Sequence, residues 1–366
     1  MRIGIIGLGL IGGSIAKTIK KVHAQNSHII AYDAHVPFLE AALEEHVIDE
    51  KAVSIGSEFA LCNVIFICTP IKSIVKIAES LIPFVANDCI ITDIGSTKYE
   101  LVTTLSKTLA KTSKNVYFVG GHPMAGSEKS GYFAATDHLF ENAYYMLTPA
   151  TDTPNFILFI LQKMIERLGA IPIILSPSYH DFATAIVSHF PHIIASGLVH
   201  LVKDCDGDSH HIHTLAAGGF KDLTRIASSD PTIWENICMS NKSSLKKALN
   251  HFLIILNGLY EALDTDDSKK VFDYFSGARD FRNTFNEGFN TEIIKTFTLY
   301  VDAQDEPGII ASIATILSTK GINIKDIGIM NHREFDCGVL RIAFATKSDM
   351  LEAHQILSRY NYTLYY

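Results

Sequence analysis

No two of the chain's six cysteines stand in a CxxC pair; they fall at 62, 68, 89, 205, 238 and 337, mostly within apolar stretches. The thiols therefore read as buried and reduced, in a cytoplasmic protein, rather than as a disulfide framework. A basic stripe is missing too. The formal net charge is -8 with lysine and arginine dispersed, so no nucleic-acid partner is expected. No run reaches the roughly 18 apolar residues of a membrane span, and no membrane association is expected. The opening MRIGIIGLGLIGGSIA has the apolar run of a signal peptide, but such a peptide has no need of Gly7, Gly9 and Gly12 at fixed spacing. DCDGDSHHIH (204–213) has neither the glycine nor the glutamate of a calcium loop, carrying Ser209 and Leu215 at those places. It reads as an interhelical loop, and no metal is expected. What remains is a globular chain of 366 residues, enough for two or three domains.

The first of these announces a ligand. Residues 2–6 read as a buried strand, followed by Gly7-Leu8-Gly9-Leu10-Ile11-Gly12 and a helical pattern through Lys20. In a strand–turn–helix the first glycine permits the tight turn, the second admits a pyrophosphate to the backbone, and the third lets helix and strand pack closely. The helix N-terminus adds N–H groups and its dipole. The next strand, 28–32, ends in Asp33, whose carboxylate suits the ribose hydroxyls and repels a 2′-phosphate, so the cofactor expected is NAD. Further apolar strands at 64–68 and 89–92 end in Thr69-Pro70 and in Asp93-Ile94-Gly95-Ser96. Another, 117–119, is expected to end at Gly120-Gly121, leaving His122 at the sheet's mouth, and 171–175 closes the domain. In a doubly wound α/β sheet ligands bind beyond the strands' carboxyl ends, so Thr69, Pro70, Asp93, Ser96 and His122 are candidates.

Residues 179–289 follow a helical pattern with breaks at 204–209 and 216–220. His189 and His192 share one face of a helix at i,i+3, and Pro191 between them is expected to kink it. Asp222 and Arg225 repeat that spacing after Gly218-Gly219. Arginine is the side chain best shaped to hold a carboxylate bidentately. Trp234, the chain's one tryptophan, either walls the same pocket or fills core. From 296 onward the pattern is βαββαβ, a split βαβ sandwich, with Asp305-Glu306-Pro307-Gly308 opening its first helix.

With GLGLIGGS (7–14), DIGSTK (93–98), GHPMAGSE (121–128), SHFPH (188–192), GGFKDLTR (218–225) and DEPG (305–308) in order, the whole chain resembles the prephenate dehydrogenase family, in the bacterial form with a C-terminal ACT domain. Only Ile94 and Phe190 depart from the family pattern, at positions without chemistry. The resemblance implies a Rossmann-type NAD-binding domain at 1–176, an all-α prephenate-binding and dimerisation domain at 177–290, and an ACT regulatory domain at 295–366. It implies NAD-dependent oxidative decarboxylation of prephenate to 4-hydroxyphenylpyruvate in tyrosine biosynthesis, by a homodimer. His122 is then the base, oriented by Ser96. Arg225 anchors a substrate carboxylate with help from His192 and is positioned by Asp222; Glu128 shapes the pocket and His189 lines it. The tail is expected to take L-tyrosine as effector near Asp305, Pro307 and Gly308. Three rivals stand beside this: an arogenate dehydrogenase, a β-hydroxyacid dehydrogenase, whose G-x-x-x-N-x-x-K pattern is absent, and a non-catalytic amino-acid sensor.

Overall fold

The structure, a computed structural model, describes residues 1–23, 27–126, 129–207, 211–285, 297–303, 306–330 and 338–365. It divides into two compact units, Met1–Leu256 and Asn257–Tyr366.

The first unit is built on an eight-stranded sheet in the order β3-β2-β1-β4-β5-β6-β7-β8. Its strands are β1 (Arg2–Ile6), β2 (His28–Tyr32), β3 (Glu50–Lys51), β4 (Val64–Ile67), β5 (Ile90–Asp93), β6 (Tyr117–Pro123), β7 (Tyr144–Pro149) and β8 (Ile171–Ile174). β1 to β6 run parallel, and β7 turns back against β6. The central strands β1, β2 and β4 are almost wholly apolar because both faces are covered. Ile3, Ile5, Val64 and Phe66 pack with helices Leu10–His23, Val36–Glu44 and Asn155–Arg167. Ile6, Ile65, Ile67 and Ile91 pack with Ile71–Leu81 and Tyr99–Leu109 on the other side. Because β1 lies between β2 and β4, the chain order reverses there, which opens a crevice at the strands' carboxyl ends.

The strand expected to stop at residue 119 instead runs to Pro123, with Gly120, Gly121 and His122 paired to Thr148, Leu147 and Met146 of β7. The glycines are therefore inside the strand. Side chains there would collide: a methyl on Gly120 would lie 2.8 Å from Lys98 Cδ, and one on Gly121 would overlap the Asp93 carbonyl.

Pro177–Thr184, Ala185–His189 and Phe190–Cys205 form one continuous helical path. The irregularity expected at Pro191 appears just before it, as a widened turn in which Phe190 N donates to the Ala185 carbonyl five residues back. Widening makes room where the proline ring would otherwise strike the preceding turn. Contrary to expectation, this 29-residue path is long enough to cross a membrane and holds an 18-residue window apolar enough to do so, with a mean hydropathy of 1.5. Its histidines break up the consecutive apolar runs, and the aliphatic residues between them keep the window's average high. Helices Gly218–Thr224, Pro231–Ser240 and Lys242–Asp264 follow.

The second unit carries the βαββαβ element: β9 (Phe297–Ala303), helix Ile309–Ser318, β10 (Ile324–Met330), β11 (Gly338–Phe344), helix Lys347–Arg359 and β12 (Thr363–Tyr365). The sheet order is β10-β11-β9-β12, antiparallel throughout. Both helices cover one face, where Ile313, Leu317, Ala353 and Leu357 meet Leu299, Val301 and Ile342. The fold class read from the sequence, Rossmann-type sheet, helical segment and βαββαβ tail, is the one observed.

Candidate active site

The glycine loop leaves β1 at the crevice, and its three glycines meet different surroundings. Gly7 has φ +98°, and a methyl there would sit 2.5 Å from the Cys68 carbonyl oxygen. A methyl on Gly12 would overlap the Gly7 carbonyl oxygen. Gly9 faces open space, with nothing within 4 Å of where its Cβ would be. That is the arrangement a pyrophosphate needs. The Asp33 carboxylate accepts from Leu8 N at 2.6 Å and from His35 N at 2.7 Å, which ties the loop to the end of β2 and holds the acid beside it. Leu8 itself is buried, Leu10 and Ile11 are half-buried, and any contact of Leu8 with a ligand is through its backbone. Across the crevice Thr69 follows β4, its hydroxyl accepting from Ser73 Oγ at 2.9 Å, and Pro70 caps helix Ile71–Leu81. These residues fit NAD.

Asp93 does not belong with them. Its side chain is fully buried, in an ion pair with the equally buried Lys98, and it also accepts from Gly95 N at 2.7 Å and Gly121 N at 3.1 Å. The expectation that it contacts cofactor is corrected: the carboxylate clamps β5, the loop after it and β6 together. Burial pushes the Lys98 amine down, against the pull of Asp93.

His122 projects from β6 into a network that sequence reasoning missed. Its Nδ1 lies 2.9 Å from Nε2 of His180, and His180 Nδ1 lies 2.9 Å from Asp181 Oδ1. The Asp181 carboxylate also accepts from Lys98 N at 2.7 Å and Tyr99 N at 2.9 Å, capping helix Tyr99–Leu109 from the helical segment. His180 and Asp181 are almost wholly buried. Burial, together with the nearby His180, Lys98 and His189, holds the His122 imidazole well below its usual value, so it is neutral at pH 7. The ring partner of His122 is thus His180 rather than Ser96. Ser96 is half-buried in the loop after β5, and it does not cap the following helix, which Asp181 caps instead. An aspartate beside a histidine in YHDF was the signal available in the sequence.

The helical side brings three more rings together. His189 is buried in the widened turn, 3.3 Å from Asn241 Nδ2 through Nδ1, with no partner for Nε2; burial pushes it down to about 4. His192 lies 3.1 Å from the Ser188 carbonyl through Nδ1 and stacks on Trp234 at 3.7 Å between centroids. Burial lowers it as well, and Arg225 is close enough to lower it further. Trp234 lines a cavity of about 680 Å³ with His192, Ser196 and His200 rather than filling core, and neither Arg225 nor Asp222 is among the residues of that cavity's wall. Arg225 and Asp222 are exposed, and they do not share one regular helix as expected: Gly218–Thr224 ends before Arg225, which opens a tighter turn. Glu128 and Asp305 lie outside the described residues. Pro307 precedes Gly308, which caps helix Ile309–Ser318 at φ 93° with open space around it. Among the described residues no group of three or more His, Cys, Asp or Glu is placed to hold a metal ion. Asp206 instead accepts from Ile212 N at 3.0 Å, within the segment that suggested a calcium loop.

Comparison with known proteins agrees with this geometry. Residues 15–174 match the family model described as prephenate dehydrogenase, nucleotide-binding domain, and 176–277 that described as prephenate dehydrogenase, dimerization domain. Prephenate dehydrogenase of Bacillus subtilis (strain 168) is 37% identical over 99% of this chain and 97% of its own. A crystal structure of prephenate dehydrogenase from A. aeolicus, in complex with hydroxyphenyl propionate and NAD+, superposes with a TM-score of 0.72 at 32% identity, covering 78% of this chain and 98% of that one. Synechocystis arogenate dehydrogenase reaches 0.70 at 29% identity, over 78% of this chain and 100% of its own. The glycine loop, the buried neutral histidine on β6 and the ring cluster facing it thus sit in a chain alike over its full length, and the chain belongs to the prephenate dehydrogenase family.

Proposed function

We propose that this chain oxidises and decarboxylates prephenate to 4-hydroxyphenylpyruvate and CO2, with NAD+ becoming NADH, in tyrosine biosynthesis. The reading is carried by one observation, the neutral, buried His122 whose Nδ1 is already engaged. Its remaining ring nitrogen is then free to take the proton of the 4-hydroxyl as the carbonyl forms, a role for a base that is unprotonated at working pH. Bound at the Gly7–Gly12 loop with its ribose at Asp33, NAD+ supplies the hydride acceptor. Thr69 and Pro70 border its nicotinamide half, and Ser96 reaches the substrate hydroxyl.

Arg225 holds a substrate carboxylate, aided by His192 and Asp222. His189 lines the pocket, and Glu128 shapes it. Loss of the ring carboxylate is driven by aromatisation, so the protein need only hold the dianion in place without neutralising it. The chain works as a cytoplasmic homodimer of three modules, 1–176, 177–290 and 295–366. In support, the helical path exposes Val187 and Leu201, and helix Ser268–Thr284 exposes Phe272, Phe275 and Phe281, apolar surface of the kind a partner subunit covers. The βαββαβ module takes L-tyrosine at the Pro307-Gly308 turn, which supports feedback by the pathway's product.

Mixing the protein with NAD+ and prephenate and following NADH absorbance tests the reading. Turnover that falls by orders of magnitude in His122→Asn, with NAD+ binding retained, is expected. No NADH at high enzyme concentration would favour an amino-acid sensor, and a higher kcat/KM for arogenate would reassign the substrate. L-Tyrosine should slow the wild-type enzyme but not Gly308→Val.

A further inference from the structure

His180 and Asp181 are assigned no part in the reaction above, yet His180 is the ring partner of the base and Asp181 is the partner of His180. We propose that His180 is a positioning residue that fixes the tautomer of His122, with Asp181 fixing that of His180 in turn. This rests on His122 being the base.

The chain of reasoning is one of donors and acceptors. The Asp181 carboxylate already accepts from Lys98 N at 2.7 Å and Tyr99 N at 2.9 Å, and it can only accept from the ring nitrogen of His180 2.9 Å away. His180 Nδ1 therefore carries hydrogen. A neutral His180 then has a lone pair at Nε2, and its neighbour 2.9 Å away, His122 Nδ1, must be the donor. His122 is left with its lone pair on Nε2, the nitrogen not engaged by His180. When that nitrogen takes the hydroxyl proton, the positive charge on the ring is stabilised by the bond to His180 and by the carboxylate behind it, with no proton leaving His122 Nδ1.

The same carboxylate caps helix Tyr99–Leu109, so the tautomer is set only while the start of helix Pro177–Thr184 is docked on the nucleotide-binding lobe. Correct protonation of the base and docking of the lobes are one event.

Two measurements on the full chain decide it. In 15N spectra of histidine-labelled protein without substrate, the His122 signal, identified by its loss in His122→Asn, should show hydrogen on Nδ1 and none on Nε2. Hydrogen on Nε2 overturns the proposal, including the case of a doubly protonated His180. In the second, Asp181→Asn can turn its amide NH2 toward His180 Nδ1 at the expense of the bond from Lys98 N, and in that orientation it reverses both tautomers. It should lower kcat roughly 10⁴-fold, the size of the matching change in a Ser-His-Asp triad. His180→Leu should lower kcat at least about 100-fold, and His180→Gln, whose side-chain oxygen can accept from His122, should recover most of it. KM for prephenate and NAD+ affinity should stay within about 2-fold of wild type, well under one hydrogen bond's worth of binding. Equal losses in His180→Leu and His180→Gln, or losses in KM alone, overturn the positioning role. A wild-type enzyme inactive on prephenate would sink the functional reading, while the tautomer measurement stands independently.

Discussion

Gly9, in the loop after β1, and Gly12, in the first turn of helix Leu10–His23, lie three residues apart, yet a methyl group would meet opposite surroundings at each. At Gly12 it would overlap the carbonyl oxygen of Gly7 and stand 3.0 Å from Cys68 Cβ. Neither atom belongs to a flexible chain end, so the loop or the helix must move, at a cost of about 1–3 kcal/mol. For a unit of this size that lowers Tm by roughly 2–12 °C. At Gly9 the methyl meets no protein atom within 4 Å, and the residue is not among those with positive φ. Gly9→Ala should leave the fold intact or stabilise it by about 0.4–1 kcal/mol, by restricting the unfolded chain. The space it fills is the space a phosphate needs. Losing one charge-assisted hydrogen bond, about 1.5–3 kcal/mol, weakens NAD+ binding roughly 10- to 150-fold. Calorimetric titration with NAD+ and thermal unfolding of the free protein separate the two effects. Gly9→Ala that binds NAD+ as tightly as wild type refutes the cradle, and Gly9→Ala that unfolds early refutes the claim that its surroundings are open.

The remaining predictions address the base, the carboxylate anchor and the buried histidine. Gly121→Ala would push β6 off the Asp93 carbonyl and displace His122; a shift of about 1 Å costs about 100-fold in kcat, and an unchanged kcat would show that the strand can absorb the methyl. Arg225→Gln should raise KM for prephenate at least about 10-fold, the loss of a charged hydrogen bond, and leave NAD+ affinity unchanged by titration. His189 binds its proton at about 4 in the folded chain against 6.5 when unfolded, so the unfolded state takes up more protons between those values. Stability is therefore full above pH 6.5 and falls on acidification to pH 4, by up to about 3 kcal/mol from this residue. Urea unfolding across that range should show a shallower loss in His189→Asn.

Much of the fold was legible because it is written in local chemistry. Buried strands between two helical layers must be apolar on both faces, and the runs at 2–6, 28–32 and 64–67 are bounded by turn residues. What failed was whatever depends on a distant neighbour. β7 (Tyr144–Pro149) escaped notice although Asn142, at φ 61°, marks a turn just before it, and its antiparallel pairing with β6 is what draws Gly120, Gly121 and His122 into the sheet. Gly120-Gly121 was legible as a special place but was misread as a stop. Asp93 was read as a ligand because it ends a strand. Lys98, five residues on, was the available sign that its carboxylate is occupied. His180 and Asp181 look like the polar start of a surface helix, and only docking against the Lys98 and Tyr99 amides buries them.

These failures share a location. The Asp93–Lys98 pair, the Gly120-Gly121 contacts and the Asp181 cap all meet on the loop between β5 and helix Tyr99–Leu109. A buried ion pair adds little net stability, since desolvation offsets its attraction, and removing one partner leaves a costly unpaired charge. Its use here is geometric. Asp93 reaches Gly95 and Gly121, Lys98 passes its backbone amide to Asp181, and Asp181 reaches His180 and through it His122. The base is held from the sheet side by a strand whose two preceding residues, Gly120 and Gly121, carry no side chains, and from the helical side by a ring whose tautomer is set by the cap. Position and protonation of one imidazole therefore depend on the same few contacts, and a sequence read locally registers the imidazole while the contacts that give it its chemistry lie 58 residues away.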